Sequence, residues 1–239
     1  YRGNRRSASV LGNAMLTYRK QLKKHFIDVL GLAELEKNTY TGFYTTVTNF
    51  SADLMGFDNL QAGALRPWEG TGSYYEEPHL ASFLGRVNYT YDDRYVLTVN
   101  ARTDASSKFG ANHKWGFFPS VSAAWNVSSE QFMKQITWID NLKSRLGYGL
   151  AGNQGGIDSY TTMNLVRPNG VAPVGNSPVV TYETLRNINP DLKWEVKHTF
   201  NAGFDVGFYG NRLLLSVNYY NSKTTDMLYN YRVSVPPFT

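Results

Sequence analysis

Hydrophobic and polar residues alternate along most of this chain. Phe83, Gly85, Val87, Tyr89 and Tyr91 share one phase; Leu84, Arg86, Asn88 and Thr90 share the other. After Asp92-Asp93-Arg94 the alternation resumes, with Tyr95, Leu97, Val99 and Ala101 against Val96, Thr98, Asn100 and Arg102. A period of two over this length predicts β-strands. The short polar break predicts a hairpin with a tight turn. One face of this hairpin is apolar, with tyrosines near the turn. The other carries Arg86, Asn88, Asn100, Arg102 and Asp104. Each strand runs past about ten residues, longer than the usual 5–6 of soluble sheets and long enough for the 9–11 that cross a membrane.

The same pattern predicts strands over residues 7–19, 26–37, 115–127, 141–152, 193–208 and 212–223. Within 141–152, Leu142, Ser144, Leu146, Tyr148 and Leu150 oppose Lys143, Arg145, Gly147 and Gly149. Within 193–208, Trp194, Val196, His198, Phe200, Phe204 and Val206 are expected on the apolar face. Glu195, Lys197, Asn201 and Asp205 are expected on the polar one. Leu30 and Leu32 break the rule, because they fall among the polar positions of 26–37. Two readings stay open there: contact with another domain, or a strand wrongly drawn. Ser128-Ser129-Glu130 predicts a short helix to about Ile136, capped by serine.

Residues 39–78 and 153–191 show no clean period and are rich in Gly, Pro, Asn and aromatics, so both are expected to be long loops. The expected fold is all-β: about eight antiparallel up-and-down strands with short turns at one end and long loops at the other. That asymmetry is the rule for outer-membrane barrels. The competing reading is a secreted all-β module that binds glycans.

Composition narrows the chemistry. Aromatics reach 15% and charged residues only 18%, with a net charge of +5. No nucleic-acid motif accompanies the charge, so no nucleic-acid partner is expected. The chain has no cysteine, which excludes disulfides, thiolate metal sites and cysteine nucleophiles. Its four histidines are not spaced as metal ligands, and neither metal nor cofactor is expected. Gly147-Tyr148-Gly149-Leu150-Ala151-Gly152 spells a dinucleotide fingerprint but has no helix after it. No nucleophile motif appears, and the chain is not read as an enzyme. Trp68, Tyr74, Tyr75 and Trp115 fall near glycines at the long-loop ends. Such rings stack on sugar faces or on peptide side chains, and these four are the candidate substrate-binding residues.

Four stretches carry a family resemblance: LGRVNYTYDDRYVLTVNARTDASSKFGANHKWGFFPSVSAAWNVSSEQFM, LKSRLGYGLAGNQGGIDSY, NPDLKWEVKHTFNAGFDVGFYGNRLLLSVNYYNSKTTDML and the closing VPPF. They resemble the SusC/RagA branch of the TonB-dependent outer-membrane transporters. Residues 1–78 match that branch in pattern alone. The resemblance implies a barrel of about 22 strands around a plug. Residues 1–239 would be part of its barrel domain, with plug and signal peptide lying elsewhere. It implies a bacterial outer-membrane location and TonB-driven uptake of oligosaccharides or peptides. It further implies a SusD-like lipoprotein, the TonB complex acting through the plug, and outer-membrane lipid as partners. In such a barrel Arg86, Asn88, Asn100, Arg102, Asp104, Lys143, Arg145, Glu195, Lys197, Asn201 and Asp205 would line the lumen, and the serine-capped helix would be periplasmic.

Overall fold

The computed structural model describes residues 1–51, 58–67 and 70–229. Strand β1 is Arg2–Leu22, β2 His25–Thr45, β3 Thr48–Phe50, β4 Gly63–Leu65, β5 Thr71–Glu76, β6 His79–Tyr91 and β7 Tyr95–Ser106. Then follow β8 Trp115–Asn126, β9 Ile139–Asn153, β10 Val166–Val174, β11 Ser177–Thr184, β12 Glu195–Phe208 and β13 Leu213–Thr225. Eight of them form one antiparallel sheet in the order β1-β2-β6-β7-β8-β9-β12-β13, and β5 adds to the end of β2. The sheet does not close.

The register keeps the apolar face continuous from strand to strand. Val29 opposes Val87, Val87 opposes Val99, and Val99 opposes Val121. Tyr148 pairs with both Val121 and Phe200. Since a one-residue slip would turn each strand over, the alternation itself fixes this register. Among the described residues nothing covers the apolar face: Val87, Val99, Phe204 and Leu215 are each 42–47% exposed.

Tight turns close one end. Asp92 and Asp93 both have positive φ, 52° and 54°, and Arg94 N–H donates to Tyr91 O at 3.0 Å. That is a type I′ hairpin, whose twist matches that of the strands. Tyr91 stacks on Tyr95 and Tyr95 on Trp125, with centroids 6.4 and 6.3 Å apart. These rings form a row at the edge of the apolar face. The expected helix after Asn126 is two 3₁₀ turns, Val127–Ser129 and Gln131–Gln135, and neither has a side-chain cap. Glu130 is tied instead by Tyr95 Oη at 2.7 Å and Trp125 Nε1 at 3.2 Å. These donors hold its carboxyl below the usual carboxylate range.

At the other end two expectations change. Residues 39–78 are not structureless, because β2 runs on to Thr45 and pairs with β5. The period is hidden because glycines take the places of side chains there. Tyr74 covers Gly42, and Tyr44 covers Gly72, each opposite the other in register. Residues 153–191 contain the β10–β11 hairpin, turned at Gly175 (φ 62°). Trp194 also departs from expectation. It precedes β12 rather than facing out from it, and it is buried between Phe109 and Phe118, with centroids at 4.8 and 5.4 Å. Its indole N–H donates to Lys114 O at 2.9 Å. A buried indole needs such an acceptor. This small core ties the β7–β8 loop to the start of β12.

Candidate functional site

The polar face of the sheet is the candidate site. Its middle is a ladder of side chains that satisfy one another. Thr98 Oγ1 donates to Asn88 Oδ1 at 2.8 Å, and Asn100 Nδ2 donates to Ser120 Oγ at 3.0 Å. Arg102 Nε reaches both oxygens of Asp104 at 3.0 and 2.9 Å, and its Nη2 reaches the buried Ser82 at 3.0 Å. Arg145 grips Asp205 through two bonds of 2.9 and 2.8 Å and also donates to Asn218. Ser216 Oγ completes Asp205 at 2.8 Å. A bidentate guanidinium–carboxylate pair fixes geometry as well as charge. Lys143 lies opposite Asp205 in register, and Asn201 opposite Gly147. At the long-loop end, Glu195 accepts from Asn153 Nδ2 and from the backbone N–H of Leu228. Lys197 is exposed.

Arg86 differs from Arg102 and Arg145. Its Nε is buried and has no hydrogen-bond partner. Its neighbours in register are Leu30 and Asn100. Leu30, which is buried, and Leu32 do lie in a strand and on the polar side. The strand exists, though it runs on to Thr45, and the aliphatic side chains on that face are real.

The four candidate aromatics separate. Trp68 lies outside the described residues. Tyr74 and Tyr75 are neighbours on β5 and so point to opposite faces. Tyr74 lies over Gly42 on the polar side. Tyr75 is exposed, and its hydroxyl donates to Glu77. Trp115 opens β8 and stacks on Phe83, 6.2 Å away, on the apolar face. All three belong to strands and not to unpatterned loops. Residues that sequence reasoning passed over are Tyr1, Tyr40 and Tyr44. Tyr40 and Tyr44 share the polar side with Tyr74, and Tyr1 stacks on Tyr44 at 6.3 Å. Carrying the phase of Glu36 and Asn38 forward by twos would have found Tyr40, Gly42 and Tyr44.

Beside them Glu77 gathers donors. Lys37 Nζ is 2.9 Å and His79 Nε2 3.0 Å away, in addition to the Tyr75 hydroxyl. The Tyr75 bond foremost, then Lys37 and His79, pull its carboxyl down to about 2.

An antiparallel sheet of spanning-length strands, bare on its apolar face and internally bonded on its polar one, defines a portion of a membrane β-barrel wall. Sequence comparison agrees. Residues 2–239 match the family described as TonB dependent receptor-like, beta-barrel, and the chain belongs to that family. It is 36% identical over 226 residues to TonB-dependent receptor P3 of Formosa agariphila, covering 94% of this chain and 22% of that protein. It is 34% identical over 187 residues to the TonB-dependent receptor SusC of Bacteroides thetaiotaomicron, covering 70% of this chain and 18% of that one. The sheet superposes on the RagAB peptide importer in its "closed-closed" state with a TM-score of 0.80 and 26% identity, covering 94% of this chain and 24% of that one. The siderophore receptor PirA of Acinetobacter baumannii shares the fold at 15% identity and a TM-score of 0.56, over 93% of this chain and 28% of that one. The chain thus spans about a fifth of the length of the relatives it matches. Membership of this family displaces the reading as a secreted glycan-binding module.

Proposed function

We propose that this chain is part of the wall of an outer-membrane importer of the SusC/RagA type. In that protein a SusD-like lipoprotein delivers an oligosaccharide or peptide, and the TonB complex releases a plug to let it through. The chain does no covalent chemistry in this reading. Its apolar face meets outer-membrane lipid, and its polar face lines the lumen, with the eleven polar residues named above wetting the path. The observation that carries it is the division of the sheet into one uncovered apolar face and one self-bonded polar face, held in register across eight strands. The long connections would face outward from the cell. Tyr74, Tyr40 and Tyr44 would meet the solute on the polar side. Tyr75, and Trp68 outside the described residues, remain candidate contacts. Trp115, stacked on Phe83, suits the membrane interface better.

Topology and transport test this in the full-length receptor. Epitope tags in residues 58–67 and 175–176 should be reached by antibody on intact cells, and a tag at Asp92-Asp93 should not. Uptake of the nutrient should stop when TonB is deleted. Surface labelling at Asp92, or uptake that ignores TonB, overturns the proposal. Alanine at Tyr40, Tyr74 or Tyr75 should weaken solute binding by about 0.5–1.5 kcal/mol if the ring stacks on it, with surface level unchanged. A loss of surface protein in proportion to uptake would make these rings structural.

A further inference from the structure

We infer that a trough on the apolar face, at its long-loop end, seats one phosphate-bearing lipid of the outer leaflet. Lys37 and Lys114 take the phosphate, and an acyl chain lies along the small residues below them. The inference rests on the importer reading, which puts this end of the wall outside the cell.

The trough holds about 590 Å³. Its floor is Gly12, Leu35, Ala81 and Ala105, which stand opposite one another in register across β1, β2, β6 and β7. The floor is low because three of these four residues have one methyl group or none. Two residues further along each strand, Val10, Lys37 and His79 form the next row of the same face. Lys114, just before β8, also lines the trough and is exposed.

Strand length sets the depth of these groups in the membrane. Tyr91 belongs to the aromatic row at the turn end. His79 lies at the opposite end of the same strand, β6. The twelve steps between them cover about 40 Å of chain at ~3.3 Å per residue, or about 28 Å of height at a tilt of ~45°. The apolar band of such barrels is about 25 Å tall. Lys37, His79 and Lys114 therefore stand at headgroup level, and the trough opens just below them among the acyl chains.

The charges select the occupant. Glu77 binds Lys37 Nζ at 2.9 Å and His79 Nε2 at 3.0 Å. That fixes the lysine in place while using one of its three donors. Asp191 meets His113, at 3.8 Å, rather than the neighbouring Lys114. Arg6 adds a further cation on the same face. Ammonium groups bind phosphate as point charges, and basic pockets at a membrane surface hold anionic headgroups. A neutral lipid would leave the cations unused, and a free anion would leave the trough bare. An amphiphile with a phosphate head uses both.

The test uses the full-length receptor in detergent with a synthetic phosphorylated glycolipid, beside the same lipid without its phosphate. Native mass spectrometry counts the lipid bound. The phosphorylated form should bind about thirtyfold more tightly, the effect of two lysines at an anionic surface. Lys37→Gln with Lys114→Gln should remove most of that preference, and Ala81→Leu with Ala105→Leu, which fills the trough, should weaken both lipids. A second measurement needs no variant. A diazirine at mid-chain of the phosphorylated lipid should label residues 8–14, 33–37, 79–83 and 103–107. Equal binding of the two lipids, a preference that survives the loss of both lysines, or labelling spread evenly around the barrel overturns the inference. So does inorganic phosphate that competes at the lipid's own concentration. Wild-type uptake that still depends on TonB would show that the importer reading survives such a failure.

Discussion

The polar face has two halves that solve the same problem differently. Across β8, β9, β12 and β13 it is small and closed: Ser120, Ser122, Gly147, Gly149 and Gly203 leave room for one well-bonded group, Arg145 with Asp205, Ser216 and Asn218. Across β1, β2 and β6 it sets Met15, Leu30, Leu32 and Leu84 among polar groups such as the Arg19–Asp28 pair, and Arg86 Nε has no partner among the described residues. The glycines divide by face instead. On the polar face a Cβ at Gly203 would lie 2.6 Å from Asn218 Oδ1 and 3.0 Å from Val217 O, and one at Gly149 would lie 2.8 Å from Ser120 Cβ. At Gly12, Gly31 and Gly85, which share the apolar face, nothing stands within 4 Å. The difference teaches that polarity alone does not describe this face. One half is tied up in bonds among its own side chains, and the other sets aliphatic side chains among its polar ones.

The comparison can be broken most forcefully on the face that both halves share. Arginine at mid-membrane on a lipid face costs roughly 2–4 kcal/mol, so Val29→Arg, Val99→Arg and Phe204→Arg should each lose about that much folding free energy in vesicles. Asn100→Arg should lose much less. Equal losses at Val99 and Asn100 would mean that neither half has the faces assigned. A smaller effect separates a crowded glycine of the polar face from an open one of the apolar face. Gly203→Ala forces side chain and backbone apart and should cost about 1–3 kcal/mol. Gly85→Ala meets no atom and should gain about 0.5–1 kcal/mol, because glycine gives up the most conformational freedom on folding. Urea or heat titration of the two variants reads the difference directly, and the same sign for both would erase it.

The smallest effect is an acid limb at the rim of the aliphatic half. Glu77 titrates near 2 when folded, against 4.5 when free. A depressed carboxyl stabilises above its unfolded value, and that stability is lost as pH falls through the folded one. The contribution is therefore flat from neutral pH down to about 4.5 and fades toward 2. Glu77→Gln should lower stability most at pH 7, flatten the acid melting curve between those values and converge with the wild type near pH 2. A variant that matches the wild type at pH 7 would place the Lys37–Glu77–His79 cluster outside the folded contacts.

The eight strands and their phase were legible in the sequence because a period of two survives wherever side chains alternate. It failed at Tyr40–Tyr44 because Gly42 removes a side chain from the count, and the tyrosine that replaces it comes from β5, thirty residues on. Trp194 was misplaced for a similar reason: its phase fits β12, but the indole N–H has a carbonyl to reach on Lys114, and that bond draws it out of the strand. The polar ladder was foreseen as a set of residues, not as pairs. Spacing shows that Arg145 and Asp205 share a face. Only the register shows that they meet, while Arg86 meets no acid among the described residues.

Every strand of the main sheet lies beside the one that comes next along the path, however much chain intervenes. The connection from β7 to β8 is residues 107–114, and that from β9 to β12 is residues 154–194 with a hairpin of its own. Closing a longer loop costs only about 0.6 kcal/mol for each doubling of its length. The wall therefore scarcely registers what is inserted between its strands. Loops can lengthen, shorten or be exchanged without rewiring a single pairing, so descendants of one barrel could differ widely at their rims while inheriting the same staves.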